Sequence, residues 1–193
     1  MPAPRAAKDK DAGTRRRLIE ATAQVIRDEG YAAATTRRIA AVAGVRSALV
    51  YYYFDTLDDL FVAVLRSGAD AALTRMREGI ADEDPLRALW VLNSDSRLTG
   101  LNTEFMAMAN HRKAIGAELK SYSERVRDIE TTAMAMVLRT HGVDIDEYPP
   151  VVMSMLLTQS ARSLCNEEAV GVTQGHDEFR AFIERMLHRF ATK

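Results

Sequence analysis

The chain of 193 residues contains one cysteine, Cys165, with five prolines and ten glycines. A lone thiol excludes an internal disulfide framework and a zinc site built from cysteines. Scarce proline and glycine leave few of the residues that interrupt helices. No apolar run approaches the ~18–20 residues of a bilayer span, and the charged N-terminus lacks the apolar stretch of a secretory leader. The expectation is a soluble, cytoplasmic protein with no membrane partner. Catalytic signatures are missing as well: there is no G-x-S-x-G, P-loop or dinucleotide fingerprint. His111, His141, His176 and His188 are scattered, and Glu184 and His188 are one residue too far apart for the Glu-x-x-His motif of a di-iron bundle. Cys165 lies in an apolar helical pattern and reads as a small buried hydrophobe. Catalytic residues, metal and cofactor are therefore all expected to be absent, and an enzyme is the least favoured reading.

What is present is a globular composition, 47% hydrophobic, enough for one large domain or two small ones. The net charge of −1 hides an asymmetry. Through Val50 the chain carries Arg5, Lys8, Lys10, Arg15, Arg16, Arg17, Arg27, Arg37, Arg38 and Arg46 against five acids, so the N-terminal quarter is basic and the remainder acidic. That pattern suits a head that binds a polyanion; it also suits a charged tail followed by a solvated helix face.

Residues 1–13 are polar with early prolines and read as a flexible basic arm. From Thr14 the residues Leu18, Ala21, Thr22, Val25 and Ile26 form a stripe at helical spacing, which Gly30 ends. Thr35 is a good N-cap for a short helix holding Ile39, Ala40, Val42 and Ala43. Gly44 breaks that helix, and Ser47 is placed to cap the next, which carries Leu49 and Val50. Two short helices joined at a glycine behind a longer one have the layout of a helix-turn-helix, a shape that also occurs as a plain packing unit. The second short helix ends in Tyr51-Tyr52-Tyr53-Phe54. Successive helical side chains point ~100° apart, so three tyrosines cannot all enter one core. Beyond residue 80 only helices are expected: one from Pro85, one near 99–110, a long one over 112–141 closed by Gly142, one over 151–166, and a last one over 177–192.

The stretch TTRRIAAVAGVRSALVYYYF, Thr35 to Phe54, resembles the TetR/AcrR family of bacterial transcriptional regulators. The resemblance rests on the threonine cap, Ile39-Ala40, Ala43-Gly44-Val45, the Tyr51-x-Tyr53-Phe54 ending and Asp58-Asp59-Leu60 opening the following helix. It covers roughly residues 14–66; the rest agrees only in layout. It implies an all-α fold: an N-terminal three-helix helix-turn-helix DNA-binding domain over 14–56, and a C-terminal helical-bundle domain for ligand binding and dimerisation over 57–193. It also implies roles. Thr35 caps the second helix, and Thr36 and Arg37 meet phosphate or a base edge. Arg46, Ser47 and Ala48 open the recognition helix in the major groove. Tyr51 and Tyr53 reach phosphates, and Phe54 is core. Tyr52 either lines the groove or packs on a neighbouring helix. Two departures stand out. Arg38 replaces the acid that would close a capping box with the threonine, and puts an extra positive charge toward phosphate. Leu57 replaces a lysine that contacts phosphate.

The implied partners are double-stranded operator DNA, a second copy of the chain and a small-molecule effector. For the pocket the candidate walls are Trp90, Phe105, Met106, Ala109, Tyr122 and Met134, with Gln159 as a polar contact. Methionine-rich walls suit a lipophilic effector, and methionines equally fill cores. For the homodimer the candidates are Met153, Leu156, Leu157, Ser160, Ala161 and Leu164, with Phe182 and Met186 from the last helix; the alternative is that this stripe is internal core. The function implied is a ligand-responsive regulator, a repressor released from a palindromic operator. The alternative is a helical small-molecule-binding protein whose head no longer reads DNA.

Overall fold

The computed structural model describes residues 4–191, with side chains from Ala12 to Ala191. Among these residues the chain is helical throughout: α1 (Pro4–Glu29), α2 (Thr36–Ala43), α3 (Ala48–Tyr53), α4 (Leu57–Ile80), α5 (Pro85–Asn93), α6 (Ser96–Ala109), α7 (Lys113–Thr140), α8 (Pro150–Ala169) and α9 (His176–Phe190), with one 3-10 turn at Tyr31–Ala33. None of the described helices is long and apolar enough to cross a membrane. The arm expected over residues 1–13 lies partly outside the described residues. Where it is described, from Pro4, its backbone already belongs to α1. A proline fits the first helical position, whose N–H has no helical partner, and the alanines, lysines and arginines that follow have high helix propensity. Apolar periodicity could not show this extension, because the extension has none.

The chain divides into two compact units, Met1–Ala69 with Leu101–Lys120, and Asp70–Gly100 with Ser121–Lys193. The boundary expected at Leu57 falls inside the first unit, because α4 starts in one unit and ends in the other.

In the first unit, α1 contributes Leu18, Val25 and Ile26 to a core with Ile39, Ala40, Val50, Phe54, Leu60, Phe61 and Val64. Phe105 and Met108 of α6 and Ile115 of α7 complete it. Polar contacts fasten the same elements. The Tyr31 N–H donates to Glu104 Oε2 at 2.8 Å, Arg66 Nη2 to Glu118 Oε2 at 2.8 Å, and Arg112 pairs with Asp58. The Arg112 guanidinium also lies 5.4 Å from the Phe61 ring centre, a cation–π arrangement.

The second unit has two apolar clusters. Leu86, Trp90, Met134, Leu138, Leu157, Ala161, Ile183 and Leu187 belong to the first. Leu73, Met76, Leu89, Val126 and Ala133 form the other. The fully buried carboxylate of Glu130 is also in this unit. It accepts from Arg162 Nη2 at 3.0 Å, Thr158 Oγ1 at 3.2 Å and Arg127 Nη1 at 3.4 Å. Asn93 bridges the group, donating to Glu130 at 3.4 Å and accepting from Arg162 Nε at 2.8 Å. Burial pushes the Glu130 carboxyl above its ordinary range, against the opposing pull of Arg162 and Arg127. An ion buried this way is tolerated because its lone pairs are occupied.

Glu130→Ala removes the acceptor shared by Arg162, Arg127, Asn93 and Thr158. It is expected to cost about 3 kcal/mol in chemical denaturation, with Glu130→Gln costing less. A second expectation concerns His176, buried at the start of α9, whose Nε2 and Nδ1 face Glu167 at 2.8 Å and Glu168 at 3.5 Å. The hydrogen bond to Glu167 chiefly, and that to Glu168, raise its pKa above 6.5. A raised imidazole pKa stabilises the fold below the ordinary value, and that contribution disappears as pH rises through the folded value. The gap in unfolding midpoint between wild type and His176→Gln should be widest just below pH 6.5, while both glutamates are ionised, and should narrow on the alkaline side.

Candidate nucleic-acid interface

The 8-residue α2 and 6-residue α3 are too short to persist alone, since a helix must repay a costly nucleus. Local chemistry defines their ends. Thr35 adopts an extended backbone and its Oγ1 accepts from the Arg38 N–H at 3.3 Å. Gly44 closes α2 in the left-handed region at φ 65°, a conformation nearly reserved for glycine. The Val45 N–H then donates back to Ala40 O at 3.0 Å, and Val45 packs on the first core. At the start of α4, Thr56 and Asp59 cap reciprocally: the Asp59 N–H donates to Thr56 Oγ1 at 3.1 Å and the Thr56 N–H to Asp59 Oδ2 at 3.0 Å. This is the capping-box arrangement, found here at α4 rather than at α2.

The ten expected DNA-facing residues all lie in this head, from the start of α2 through the end of α3. Arg37, Arg46, Ser47 and Ala48 are exposed. Neither Arg37 nor Arg46 forms an ion pair among the described residues. Tyr51 and Tyr52 are 59% and 71% exposed. The Tyr51 hydroxyl sits 3.2 Å from Thr36 Oγ1, so the tip of α3 is tied to the first turn of α2.

The expectations for Ser47 and Arg38 are corrected. Ser47 makes no side-chain cap, because its backbone is already helical whereas capping needs an extended residue. Arg38 does not point a free charge outward; its Nε and Nη2 grip Glu29 at 3.0 and 2.6 Å, bracing the end of α1 against α2. That pair raises the Arg38 pKa and lowers that of Glu29. Tyr53 is the least exposed of the three tyrosines and packs on the core, with the Tyr52 ring edge-on at 4.9 Å. Tyr52, for which the sequence allows either facing, is the most outward of the three. Leu57 is partly buried against the same core, so its apolar side chain has a packing role.

The sequence profile of the "Bacterial regulatory proteins, tetR family" matches residues 18–64, which include α2, the glycine turn and α3. Over these residues the chain is similar to the TetR family. One relative, the HTH-type transcriptional regulator BetI of Rhizobium meliloti, is 28% identical over 127 residues, covering 64% of this chain and 57% of that protein. The chain thus matches little more than half the length of that curated relative. A transcriptional regulator of Rhodococcus sp. Rha1 superposes with a TM-score of 0.70 at 22% identity, over 83% of this chain and 86% of its own. FadR of Bacillus subtilis, solved in complex with stearoyl-CoA, superposes at 0.69 and 14% identity, over 92% and 97%. Likeness at such identities concerns the fold.

Of the seven pocket candidates, three belong to the first unit and four to the second. Phe105 is buried in the first core and Ala109 packs on it. Trp90 and Met134 belong to one cluster of the second unit and Tyr122 packs on the other. Met106 is 53% exposed. Gln159 reaches the Glu130 group, its amide oxygen accepting from Arg127 at 3.0 Å and Arg162 at 3.1 Å. Tyr122 is held near the same charges; burial first, and then Glu130, pushes its hydroxyl pKa up against the opposing pull of Arg162. The sequence alone does not point to the group of Glu130, Arg162, Arg127 and Asn93. Its one signal is a glutamate inside the apolar stripe of α7, between Val126 and Ala133. No group of His, Cys, Asp and Glu among the described residues could hold a metal.

The dimer candidates divide by face. Leu157, Ala161 and Leu164 are buried in the chain's own core, and Met153 packs on it, so the internal-core reading holds for these four. Ser160 and Met186 are intermediate. Leu156 and Phe182 stay exposed at 63% and 50%. Val152 and Phe179, one turn away on α8 and α9, are exposed beside them in sequence register. Both faces of α8 are apolar, so its periodicity does not distinguish inward from outward.

The cost of the turn can be measured. Gly44 has open space around its Cα but a positive φ, whereas Gly68 in α4 has open space and helical geometry. Gly44→Ala should destabilise by about 1–2 kcal/mol, and Gly68→Ala should stabilise by about 0.5–1 kcal/mol. Denaturant titration of both variants checks the pair.

Proposed function

We propose that this chain is a homodimeric, ligand-responsive transcriptional regulator of the TetR family: a repressor whose heads read a palindromic operator and are released by a small lipophilic effector. The observation that carries the DNA-binding part is the pair of exposed cations, Arg37 in the first turn of α2 and Arg46 just before α3, neither of them in an ion pair among the described residues, with Tyr51 tied to Thr36 on the same two helices. Arginine is suited to this work because its planar fork meets guanine or phosphate with two parallel hydrogen bonds. A second copy fits the exposed Leu156 and Phe182, which would otherwise remain in water. Two-fold symmetry then requires half-sites about one helical turn, ~34 Å, or a multiple of it apart. The effector reading draws on the second unit, where the Glu130 group, Tyr122 and Gln159 provide polar contacts beside the apolar clusters. It is compatible with the acyl thioester bound by the Bacillus subtilis FadR. Whatever the effector, it must bind the DNA-incompetent state more tightly, or it shifts nothing.

The competing reading, a head that no longer reads DNA, draws on Leu57, which packs into the core and offers no charge. Electrophoretic titration of the full chain against fragments of its source genome separates the two. The expected outcome is selective binding of a few fragments, weakened about 10- to 100-fold by Arg37→Ala, the ~1–3 kcal/mol of a good base contact. Equal affinity for all fragments, unchanged by Arg37→Ala, would favour the competing reading.

A further inference from the structure

The edge of the head at the end of α3 is poor in positive charge. The first turn of α4 carries Asp59 and Asp58, the latter paired with Arg112, Asp55 is exposed, and Leu57 is apolar and half-buried. Arg38 is neutralised by Glu29. The carbonyl end of α3 adds a partial negative charge of its own. A phosphate approaching Tyr51 and Tyr52 from this side would meet repulsion unless some other element supplied a cation.

One element does. Arg15 of α1 is exposed, forms no ion pair among the described residues, and has its guanidinium carbon 4.9 Å from the centre of the Phe54 ring. Phe54 is itself 4% exposed and is the residue that caps α3. The ring is therefore fixed by the core, and the guanidinium lying on it is held in place without spending its hydrogen bonds. A cation–π contact occupies no hydrogen-bond acceptor and leaves N–H donors of the guanidinium available. Arg16 pairs with Glu20 and Arg17 bonds Thr14, so of these three consecutive arginines Arg15 is the one turned to α3.

We propose that Arg15, stacked on Phe54 at the end of α3, is a DNA-phosphate contact and supplies the positive charge that the start of α4 does not. The inference rests on the DNA-binding function proposed above. It assigns Arg15 to affinity and register and gives it no part in base recognition, because a phosphate contact carries no sequence information.

The test is the salt dependence of binding to a short labelled duplex of arbitrary sequence, measured by fluorescence anisotropy with the full chain. Removing one phosphate-binding cation makes the slope of log affinity against log salt shallower by about 0.9. Arg15→Gln should show that change per head, with affinity near 0.1 M salt falling roughly fivefold to tenfold. Arg15→Lys should retain the slope. Leu57→Lys in the Arg15→Gln background should restore it, by returning a cation to the same edge. Arg77→Gln, an exposed arginine at the far end of α4, is the control for net charge and should leave the slope unchanged. Arg15→Gln with wild-type slope and affinity and an unchanged thermal midpoint overturns the inference, as does an equal effect from Arg77→Gln. If the wild-type chain binds no duplex at any salt, the DNA-binding function fails and this inference fails with it. If the wild type binds and only Arg15→Gln is silent, this inference alone fails.

Discussion

The ring of Phe54 is the contact on which the head depends. The two short helices that would face DNA have no independent stability. They hold their positions because Ile39 and Ala40 from α2, Val50 from α3 and Phe54 behind it are buried together against α1 and α4. Each large apolar side chain in that cluster contributes roughly 1.5–3 kcal/mol by leaving water. Phe54 also directs the surface: the chain turns into extended backbone there, so the preceding Tyr51 and Tyr52 are left outward and the following Thr56 is free to cap α4. One buried ring thus sets the end of α3, the start of α4 and the seat of Arg15.

The core of the head is not built by the head alone. Phe105, Met108 and Ile115 come from more than forty residues further along the chain and share the same cluster, and the Glu104, Arg112 and Glu118 contacts run to the same region. The polar groups meet the demands of burial in different ways. Arg112 combines an ion pair with a stacked ring, and Glu104 satisfies the N–H left open at Tyr31. In the second unit, Glu130 avoids the penalty of a buried charge only because donors from three helices converge on it. Arrangements of this kind tolerate little change in their members.

How much of this is legible in the sequence follows from which signals are local. Helix existence, the stop at Gly30, the turn at Gly44, the Thr35 cap and the Pro85 start are written in a few adjacent residues, and each is found where the sequence places it. The resemblance carried by Thr35 to Phe54 likewise depends on local spacing. What the sequence misplaces is decided by distant partners or by facing. Arg38 reads as a phosphate ligand because no helical periodicity reveals Glu29, nine residues earlier, as its partner. The facing of Tyr52, which is outward, and of Tyr53, which packs on the core, is open in the sequence because a run of tyrosines does not reveal which one turns inward. Leu157, Ala161 and Leu164 read as a dimer face because α8 is apolar on two sides. Glu130 escapes notice because a lone glutamate gives no hint of the arginines that surround it. The pocket candidates carry the weakest signal, since six of the seven share only apolar character, which cores and pockets have in common.

The central claim is that this head reads DNA as a two-fold pair. Selection of duplexes from a random-sequence pool by the full-length protein, followed by sequencing of the bound fraction, tests it most directly. The account predicts enrichment of an inverted repeat whose half-sites lie about one helical turn apart, or a multiple of it. A bound pool with no enriched sequence, or with an enriched motif lacking two-fold symmetry, would contradict it.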